Sequence, residues 1–190
     1  KHGLFITFEG GEGSGKSTQV ARLADRLRRR GLDPLLTREP GGTPVGEAVR
    51  RILLDHANGP GSIAEAFLME ASRAELVTRV LRPELERGRV ILCDRFDDST
   101  LAYQGGGRGL DLTTLAEWNR AATGGLKPDL TLLFDLDVRV GLGRRVERRE
   151  ILGHRPRLAL LVGPVELAGR LAVIAAGVGL QHTGIDGEAL

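Results

Sequence analysis

The chain has 190 residues, of which 41% are hydrophobic and 27% charged, and its formal net charge is +2. This length and composition predict one globular domain with a substantial core, and they exclude a disordered or fibrous protein. The weak net charge gives no argument for nucleic-acid binding. No apolar run reaches the roughly 18 residues of a membrane-spanning helix, so we expect no membrane partner.

Short apolar strands alternate with helical segments along the chain. The predicted strands, in chain order, are Leu4–Glu9, Pro34–Thr37, Arg89–Asp94 and Leu130–Asp135. The predicted helices are about Ser17–Arg30, Val45–Asp55, Ile63–Arg87, Leu112–Thr123 and Val138–Glu150. Near-continuous apolar strands are typical of parallel sheets buried on both faces. This alternation predicts an α/β fold, a doubly wound parallel sheet flanked by helices, in a single domain over residues 1–190.

Two inferences about burial follow from the same pattern. The third helix carries apolar residues on one face that we expect to pack against the sheet, namely Phe67, Ala71, Ala74 and Leu81. Cys93, the single cysteine, lies in an apolar strand without a disulfide partner, which fits a buried residue. A lone thiol and the lack of a recognisable secretory signal lead us to expect a cytoplasmic protein.

The segment after the first strand is rich in glycine and reads Gly10-Gly11-Glu12-Gly13-Ser14-Gly15-Lys16-Ser17-Thr18. It matches the Walker A pattern in the strand–loop–helix setting that this motif requires. Glycines let backbone N–H groups approach phosphate oxygens, and the following helix points its positive dipole end at the same anion. Lys16 is placed to reach the β- and γ-phosphates, and the Ser17 hydroxyl to bind Mg²⁺. The loop therefore predicts binding of a nucleoside triphosphate.

Three arginines follow predicted strands or lie on an adjoining helix: Arg38, Arg73 and Arg95. Open α/β sheets bind ligands in the crevice at the carboxyl ends of their strands. A guanidinium group offers a planar fork to an anion, so converging arginines suit a phosphorylated acceptor. A single arginine is more often a surface ion-pair partner, and only the three together favour a substrate site.

Five ordered motifs carry a resemblance to a known family: the Walker A loop, TREPGG (37–42), SRAE (72–75), DRF (94–96) and STLAYQGGGRG (99–109). Over roughly residues 3–150 the chain resembles the bacterial thymidylate kinases. The resemblance implies a P-loop NTPase fold, a homodimer, and transfer of the γ-phosphate of ATP to dTMP, giving dTDP and ADP with Mg²⁺ present. The alternatives are another nucleoside monophosphate kinase and a nucleotide-binding protein with impaired catalysis. A GTPase is disfavoured because no Asn-Lys-x-Asp-type segment is seen.

Matched position by position, the resemblance implies a catalytic group of Lys16, Glu12, Arg38 and Arg95. Glu12 is expected near the sugar and phosphate of the acceptor. Arg38 and Arg95 are expected to hold the dTMP phosphate.

The positions that match contacts to the thymidine part of dTMP are Met69, Arg73, Ser99, Thr100, Tyr103 and Gln104. Arg73 is expected to read the thymine edge, with Ser99 and Thr100 beside the base. Tyr103 is expected to crowd the ribose 2′ position and so favour deoxynucleotides. Met69 stands where many relatives place an aromatic residue that stacks on thymine.

The resemblance also implies a metal ligand and a lid. Asp94 matches a Walker B-like acid that joins Ser17 in holding Mg²⁺, and we prefer it to Asp135 because Arg95 follows it. Arg144 and Arg148 match arginines at the base of a lid that closes over the ATP phosphates. An exposed basic helix face is an equally good interpretation of these two arginines.

Beyond Glu150 the resemblance ends. Residues 151–190 contain three acidic residues and no Phe, Trp or Tyr, whereas relatives have an acidic, aromatic-containing helix there. A shifted reading frame and a divergent lid with a divergent last strand are the two interpretations.

Overall fold

A computed structural model describes residues 2–55, 57–146, 157–162 and 172–173, with side chains described as far as residue 141 and at 143. The strands are β1 (Leu4–Gly10), β2 (Leu35–Arg38), β3 (Val90–Asp94), β4 (Leu130–Asp135), β5 (Arg157–Val162) and β6 (Ala172–Val173). The helices are α1 (Lys16–Arg28), α2 (Pro44–Leu53), α3 (Ser62–Leu76), α4 (Arg82–Glu86), α5 (Asp97–Thr100), α6 (Leu112–Thr123) and α7 (Val138–Val146). One π-helical stretch, Val77–Leu81, joins α3 to α4, and another, Leu101–Gly107, continues α5.

The strands form one sheet in the order β2-β3-β1-β4-β5-β6. The first four are parallel, with Phe8 opposite Asp94 and Arg38 also opposite Asp94. β5 is antiparallel to β4, and β6 is antiparallel to β5. The predicted parallel sheet is confirmed for β1 to β4, whose carboxyl ends meet at one edge.

Apolar residues cover both faces of this sheet, as the alternation of side chains along a strand requires. On one face, Phe5 and Ile91 pack with Leu76, Leu81 and other residues of the α3–α4 helix. On the opposite face, Phe8 and Leu92 pack with Val20 and Ala24 of α1, together with residues of β4. Helices therefore lie on both faces of the sheet, as predicted, and Cys93 is fully buried between them.

The predicted inward face of the third helix is confirmed at Leu81, which packs in the core, and is wrong at Phe67 and Ala71. Phe67 is 52% exposed and Ala71 is exposed, whereas Glu70 and Arg73 are buried. The physical reason is that Glu70 and Arg73 neutralise each other at 2.8 Å, which allows a charged pair to face inward. Phe67 instead stacks on Trp118 of α6, with ring centroids 4.5 Å apart.

Two structural outcomes concern the end of the chain and the membrane. The predicted helix 138–150 is described as far as Val146, and Arg148 lies outside the described residues, as does most of 151–190. Within the described ranges, no helix combines the length and the apolar character needed to cross a membrane.

Candidate active site

The loop between β1 and α1 is shaped by glycines with positive φ, namely Gly10, Gly13 and Gly15 at 133°, 71° and 92°. Gly15 caps α1 and has no side chain, so the cap residue supplies no acceptor for the N–H groups of the first turn. A cavity of about 510 Å³ lies over this helix end, lined by residues 12–18 with Asp94 and Arg95. The N–H groups of this first turn and the helix dipole make this cavity suited to phosphate.

Lys16 lies inside the loop rather than in solvent. Its Nζ donates to the carbonyl oxygens of Gly10 and Gly11, at 2.6 and 2.8 Å. Burial lowers the pKa of Lys16, and the nearby guanidinium of Arg95 lowers it further. The ammonium group is thus held at the cavity wall by two carbonyl oxygens, which a phosphate oxygen can replace as a stronger, charged acceptor.

Ser17 and Asp94 meet although 77 positions separate them in the sequence. The Ser17 hydroxyl donates to Asp94 Oδ2 at 3.2 Å. The other oxygen, Asp94 Oδ1, is buried with no hydrogen-bond partner among the described residues. A hydroxyl beside a carboxylate with unused acceptor capacity is a donor set that suits Mg²⁺, which keeps several of its ligands as water and phosphate oxygens. Asp135, the alternative acid, is exposed and does not line this cavity.

Helix α7 packs directly against the backbone of the phosphate loop. A Cβ atom built on Gly141 would lie 2.5 Å from the Glu12 carbonyl oxygen, and one built on Gly13 would lie 2.1 Å from the Gly141 carbonyl oxygen. Two glycines therefore allow the loop and the helix to touch without side chains between them. The side chain of Arg144, on the same helix, is not described.

Arg95 occupies an unusual backbone position at the end of β3. Its φ is 75°, in the left-handed region that non-glycine residues rarely adopt. Its guanidinium lies 5.0 Å from the centroid of the Tyr103 ring, and its Nη1 donates to Ser99 Oγ at 3.2 Å. Arg95 and Glu12 line both the loop cavity and a second, neighbouring cleft.

This second cleft has a volume of about 480 Å³. Six predicted site residues line it: Glu12, Met69, Arg95, Ser99, Tyr103 and Gln104. The structure thus brings together most of the residues that the five motifs indicated. Because the lining combines apolar groups with arginines, it suits a ligand that has both a flat ring and an anionic group.

Four charged residues of the cleft were missed by sequence reasoning: Glu39, Arg50, Glu65 and Arg108. Arg50 of α2 donates to the Pro40 carbonyl oxygen at 3.0 Å, and Arg108 pairs with Glu65 at 2.9 Å. No motif indicated Arg50, which reaches the cleft from α2. No local signal indicated that Glu65 would meet Arg108.

Arg38 and Thr100 do not line either cavity. Arg38 is exposed, and its Nη2 donates to both carboxylate oxygens of Glu47, at 2.9 and 3.0 Å. Thr100 is fully buried and accepts a hydrogen bond from Arg73. Their predicted contacts with the acceptor stay predictions.

Arg73 also lies behind the cleft, with no exposed surface. Its guanidinium pairs with Glu39 at 2.7 Å and with Glu70 at 2.8 Å. It also donates to Asn119 Oδ1 and to the Phe96 carbonyl oxygen. Burial raises the pKa of Glu39 to about 7, although the charge of Arg73 opposes that shift. All five N–H groups of Arg73 have acceptors nearby, so its predicted contact with thymine stays a prediction.

Glu9, also missed, is a buried carboxylate at the end of β1. It accepts hydrogen bonds from Phe96 N and Ser99 Oγ, both at 2.7 Å. Burial raises its pKa from 4.5 to about 7, and these two hydrogen bonds oppose the rise. The signal in the sequence was a single acidic residue that ends an apolar strand just before the glycine-rich loop.

A parallel sheet with a phosphate loop, a Ser17–Asp94 pair and an adjoining arginine-lined cleft defines a P-loop phosphotransferase acting on nucleotides. The family model described as thymidylate kinase matches residues 8–156. The chain therefore belongs to the thymidylate kinase family.

Individual relatives agree with this assignment. The thymidylate kinase of Desulfovibrio desulfuricans is 60% identical over 151 residues, which are 79% of this chain and 70% of that protein. The thymidylate kinase of Ectopseudomonas mendocina is 47% identical over 198 aligned residues, which span 99% of this chain and 94% of that protein. The solved thymidylate kinase of Ehrlichia chaffeensis has a TM-score of 0.67 and 38% identity, and the match covers 78% of this chain and 88% of that one.

Proposed function

We propose that this chain transfers the γ-phosphate of ATP to the 5′-phosphate of dTMP, giving ADP and dTDP. The observation that carries the proposal is that the loop cavity and the second cleft share Glu12 and Arg95. A donor phosphate on the loop and an acceptor phosphate in the cleft would therefore meet at the same wall. Transfer between two phosphates needs this proximity more than it needs a strong base, because the acceptor oxygen is already ionised.

Repulsion between two polyanions is the main barrier to bringing the substrates together. Lys16 offers a positive charge on the donor side, Arg50 lines the acceptor side, and Arg95 lies between them. We assign Arg95 the bridging role, because its only described side-chain hydrogen bond is to Ser99 and most of its five N–H donors can turn to phosphate. Arg38 lines neither cavity and is held to Glu47 through Nη2, so it would join them only by changing its orientation.

The acceptor base is selected by the apolar part of the cleft. Met69 and the ring of Tyr103 offer contacts for a flat pyrimidine, and Arg95 over the Tyr103 ring helps to fix that ring. Tyr103 is proposed to crowd the ribose 2′ position, and Gln104 lies next to it in the cleft wall. The Gln104 amide is oriented by a 2.8 Å hydrogen bond from its Nε2 to Glu65.

Ser17 and Asp94 would hold Mg²⁺, and the unused Asp94 Oδ1 supports this assignment. When bound, the ion neutralises charge on the donor phosphates. The resemblance further assigns Arg144 and Arg148 to a lid over those phosphates. The contact of α7 with the phosphate loop supports a lid that begins at this helix.

The protein is proposed to act as a homodimer through α3 and α6. Ile63 and Phe67 of α3 are 57% and 52% exposed, and Phe67 stacks on Trp118 of α6. A paired aromatic and an aliphatic neighbour on adjacent helices form an apolar surface that a second copy would cover. Light scattering of the wild type and of Phe67→Glu tests this: we expect a dimer and a monomer, respectively.

We place the protein in the cytoplasm. Cys93 is a free, fully buried thiol, and burial raises its pKa, so the single cysteine is chemically inert. Such cysteine usage is typical of a reducing compartment.

The proposed reaction is tested by measuring ADP formation from ATP and Mg²⁺ with dTMP, dUMP, UMP, CMP and GMP as separate acceptors. We expect turnover to be fastest with dTMP, and the Lys16→Ala variant, purified in parallel, controls for contaminating kinases. A faster reaction with another monophosphate would assign the chain to a different acceptor. ATP hydrolysis that no acceptor stimulates would overturn the kinase assignment.

A further inference from the structure

Arg95 needs support from its surroundings, because its left-handed backbone is unfavourable for a residue with a side chain. Three hydrogen bonds surround this turn. Arg95 N donates to the Phe8 carbonyl oxygen at 3.0 Å, and Cys93 Sγ donates to the Arg95 carbonyl oxygen at 3.1 Å. The third runs from Phe96 N to Glu9 Oε1 at 2.7 Å and is the shortest of the set. The carboxylate of Glu9 thus fixes the peptide that follows Arg95.

The second oxygen of Glu9 controls the direction of a hydroxyl group. Ser99 Oγ donates to Glu9 Oε2 at 2.7 Å and also lies 3.2 Å from Arg95 Nη1. A serine hydroxyl has one hydrogen, so with that hydrogen committed to Glu9 the oxygen presents its lone pairs to Arg95. Glu9 therefore contacts two groups beside Arg95. One is the backbone N–H of Phe96, and the other is the Ser99 hydroxyl that accepts a hydrogen bond from the Arg95 guanidinium.

We propose that Glu9 is a positioning residue for phosphate transfer, holding Arg95 in its left-handed turn and directing the Ser99 hydroxyl so that the guanidinium is aimed at the acceptor phosphate. Glu9 is buried and lines neither cavity, so it acts through Arg95 and not on the substrates. This inference rests on the proposed function, in which Arg95 bridges donor and acceptor.

The ionised carboxylate is the form that accepts both hydrogen bonds. The charged groups that act on it are Arg95, which follows β3, Asp98 of α5 and Lys16 of α1. The Cys93 thiol of β3 also lies nearby and stays neutral, because burial raises its pKa. Asp98 opposes ionisation of Glu9, and Arg95 favours it. Burial raises the pKa of Glu9 to about 7, so its charge changes within the range where the enzyme can be assayed.

Steady-state kinetics of Glu9→Gln, Arg95→Ala and the double variant test the proposal, with Glu86→Gln as a matched control on the exposed end of α4. We expect Glu9→Gln to raise the KM for dTMP and lower kcat, together by about tenfold in kcat/KM, because a charged hydrogen bond is lost. The KM for ATP should change less than about twofold, since the loop itself is untouched. The double variant should be no worse than Arg95→Ala alone, because both act through one guanidinium.

A pH series adds a second readout. From about pH 8 to about pH 6, the KM for dTMP should rise more steeply in the wild type than in Glu9→Gln, which has no proton to gain. The phosphate of dTMP titrates in the same range, but it does so equally in both proteins. Ser99→Ala, a milder change, should reproduce the raised KM if Glu9→Gln fails to fold by circular dichroism.

The outcomes separate this inference from the proposed function. Suppose that Arg95→Ala impairs dTMP phosphorylation. If Glu9→Gln then has wild-type kinetics, or if its loss of kcat/KM adds in full to that of Arg95→Ala, Glu9 has no positioning role and the proposed function stands. If Arg95→Ala itself leaves dTMP phosphorylation unchanged, the proposed bridging role of Arg95 is wrong.

Discussion

The contact between α7 and the phosphate loop gives a sharp prediction for Gly141→Ala. The added Cβ would lie 2.5 Å from the Glu12 carbonyl oxygen, whereas ordinary contact begins at 3.4 Å, so helix and loop must separate by about 0.9 Å. The obstructing atom belongs to the backbone, so no side chain can rotate away. A misplacement of about 1 Å near reacting groups can cost about 10²-fold in rate. We therefore expect kcat/KM for ATP to fall by about 10- to 100-fold.

The loss of stability in this variant should be partly offset. Replacing a helical glycine by alanine gains about 0.5–1 kcal/mol, which offsets part of an overpacking cost of about 1–3 kcal/mol. Gly143→Ala is the control in the same helix, because no atom of the described residues lies within 4 Å of a Cβ atom at that position. It should keep wild-type kinetics and show a slightly higher melting temperature than the wild type.

The assay is coupled ADP formation over a range of ATP concentrations at saturating dTMP, with dTMP affinity measured separately by calorimetry. We expect dTMP affinity to stay within about twofold in both variants, since the acceptor cleft is not displaced. The prediction is refuted if kcat/KM for ATP is the same in Gly141→Ala as in Gly143→Ala and the wild type. That result would show that α7 and the loop are not tightly packed.

Three further predictions concern single side chains. Lys16→Ala should lower kcat by about 10²- to 10³-fold, because a charge contact to the transferring group is lost, and near wild-type turnover would contradict the loop assignment. Arg73→Ala should destabilise the fold by about 3–5 kcal/mol, because Glu39 and Glu70 lose their partner, which calorimetry would detect as a large fall in melting temperature. Burial raises the pKa of Glu9 from 4.5 to about 7, so the folded state binds this proton more tightly than the unfolded chain. The free energy of unfolding should therefore fall as pH rises from about 4.5 to about 7, and urea titrations should show a shallower fall in Glu9→Gln.

Features built from neighbouring residues were predicted well from the sequence. The glycine-rich loop was found because its glycines, Lys16 and Ser17 are contiguous, and the strand before it and the helix after it have clear periodicity. The strands β1, β3 and β4 were each placed within one residue at both ends. The short helix α5 was not predicted, because the four residues Asp97–Thr100 are too few to show a period.

Features that depend on distant partners were not predictable in the same way. Arg73 was expected at the cleft because it lies on a helix that adjoins the strand ends, but it is buried in an ion pair with Glu39, 34 positions away. The Glu70–Arg73 pair explains the error at Phe67 and Ala71, since periodicity assumes that apolar side chains point inward and charged ones outward. Glu9 was missed because its significance comes from Ser99, 90 positions away in the sequence.

The candidate site depends on strand register more than on any one motif. β3 pairs with β1 so that Asp94 is opposite Phe8, and this register places the end of β3 beside the start of the phosphate loop. Asp94 then meets Ser17, and Arg95, one residue further on, reaches the wall shared by the two cavities. A slip of one residue would turn both side chains to the opposite faces of the sheet and separate them from the loop. Alternating apolar residues on both faces of β1 and β3 penalise such a slip, because Phe5, Phe8, Ile91 and Leu92 would exchange their packing partners. The hydrophobic core therefore fixes the geometry on which phosphate transfer depends.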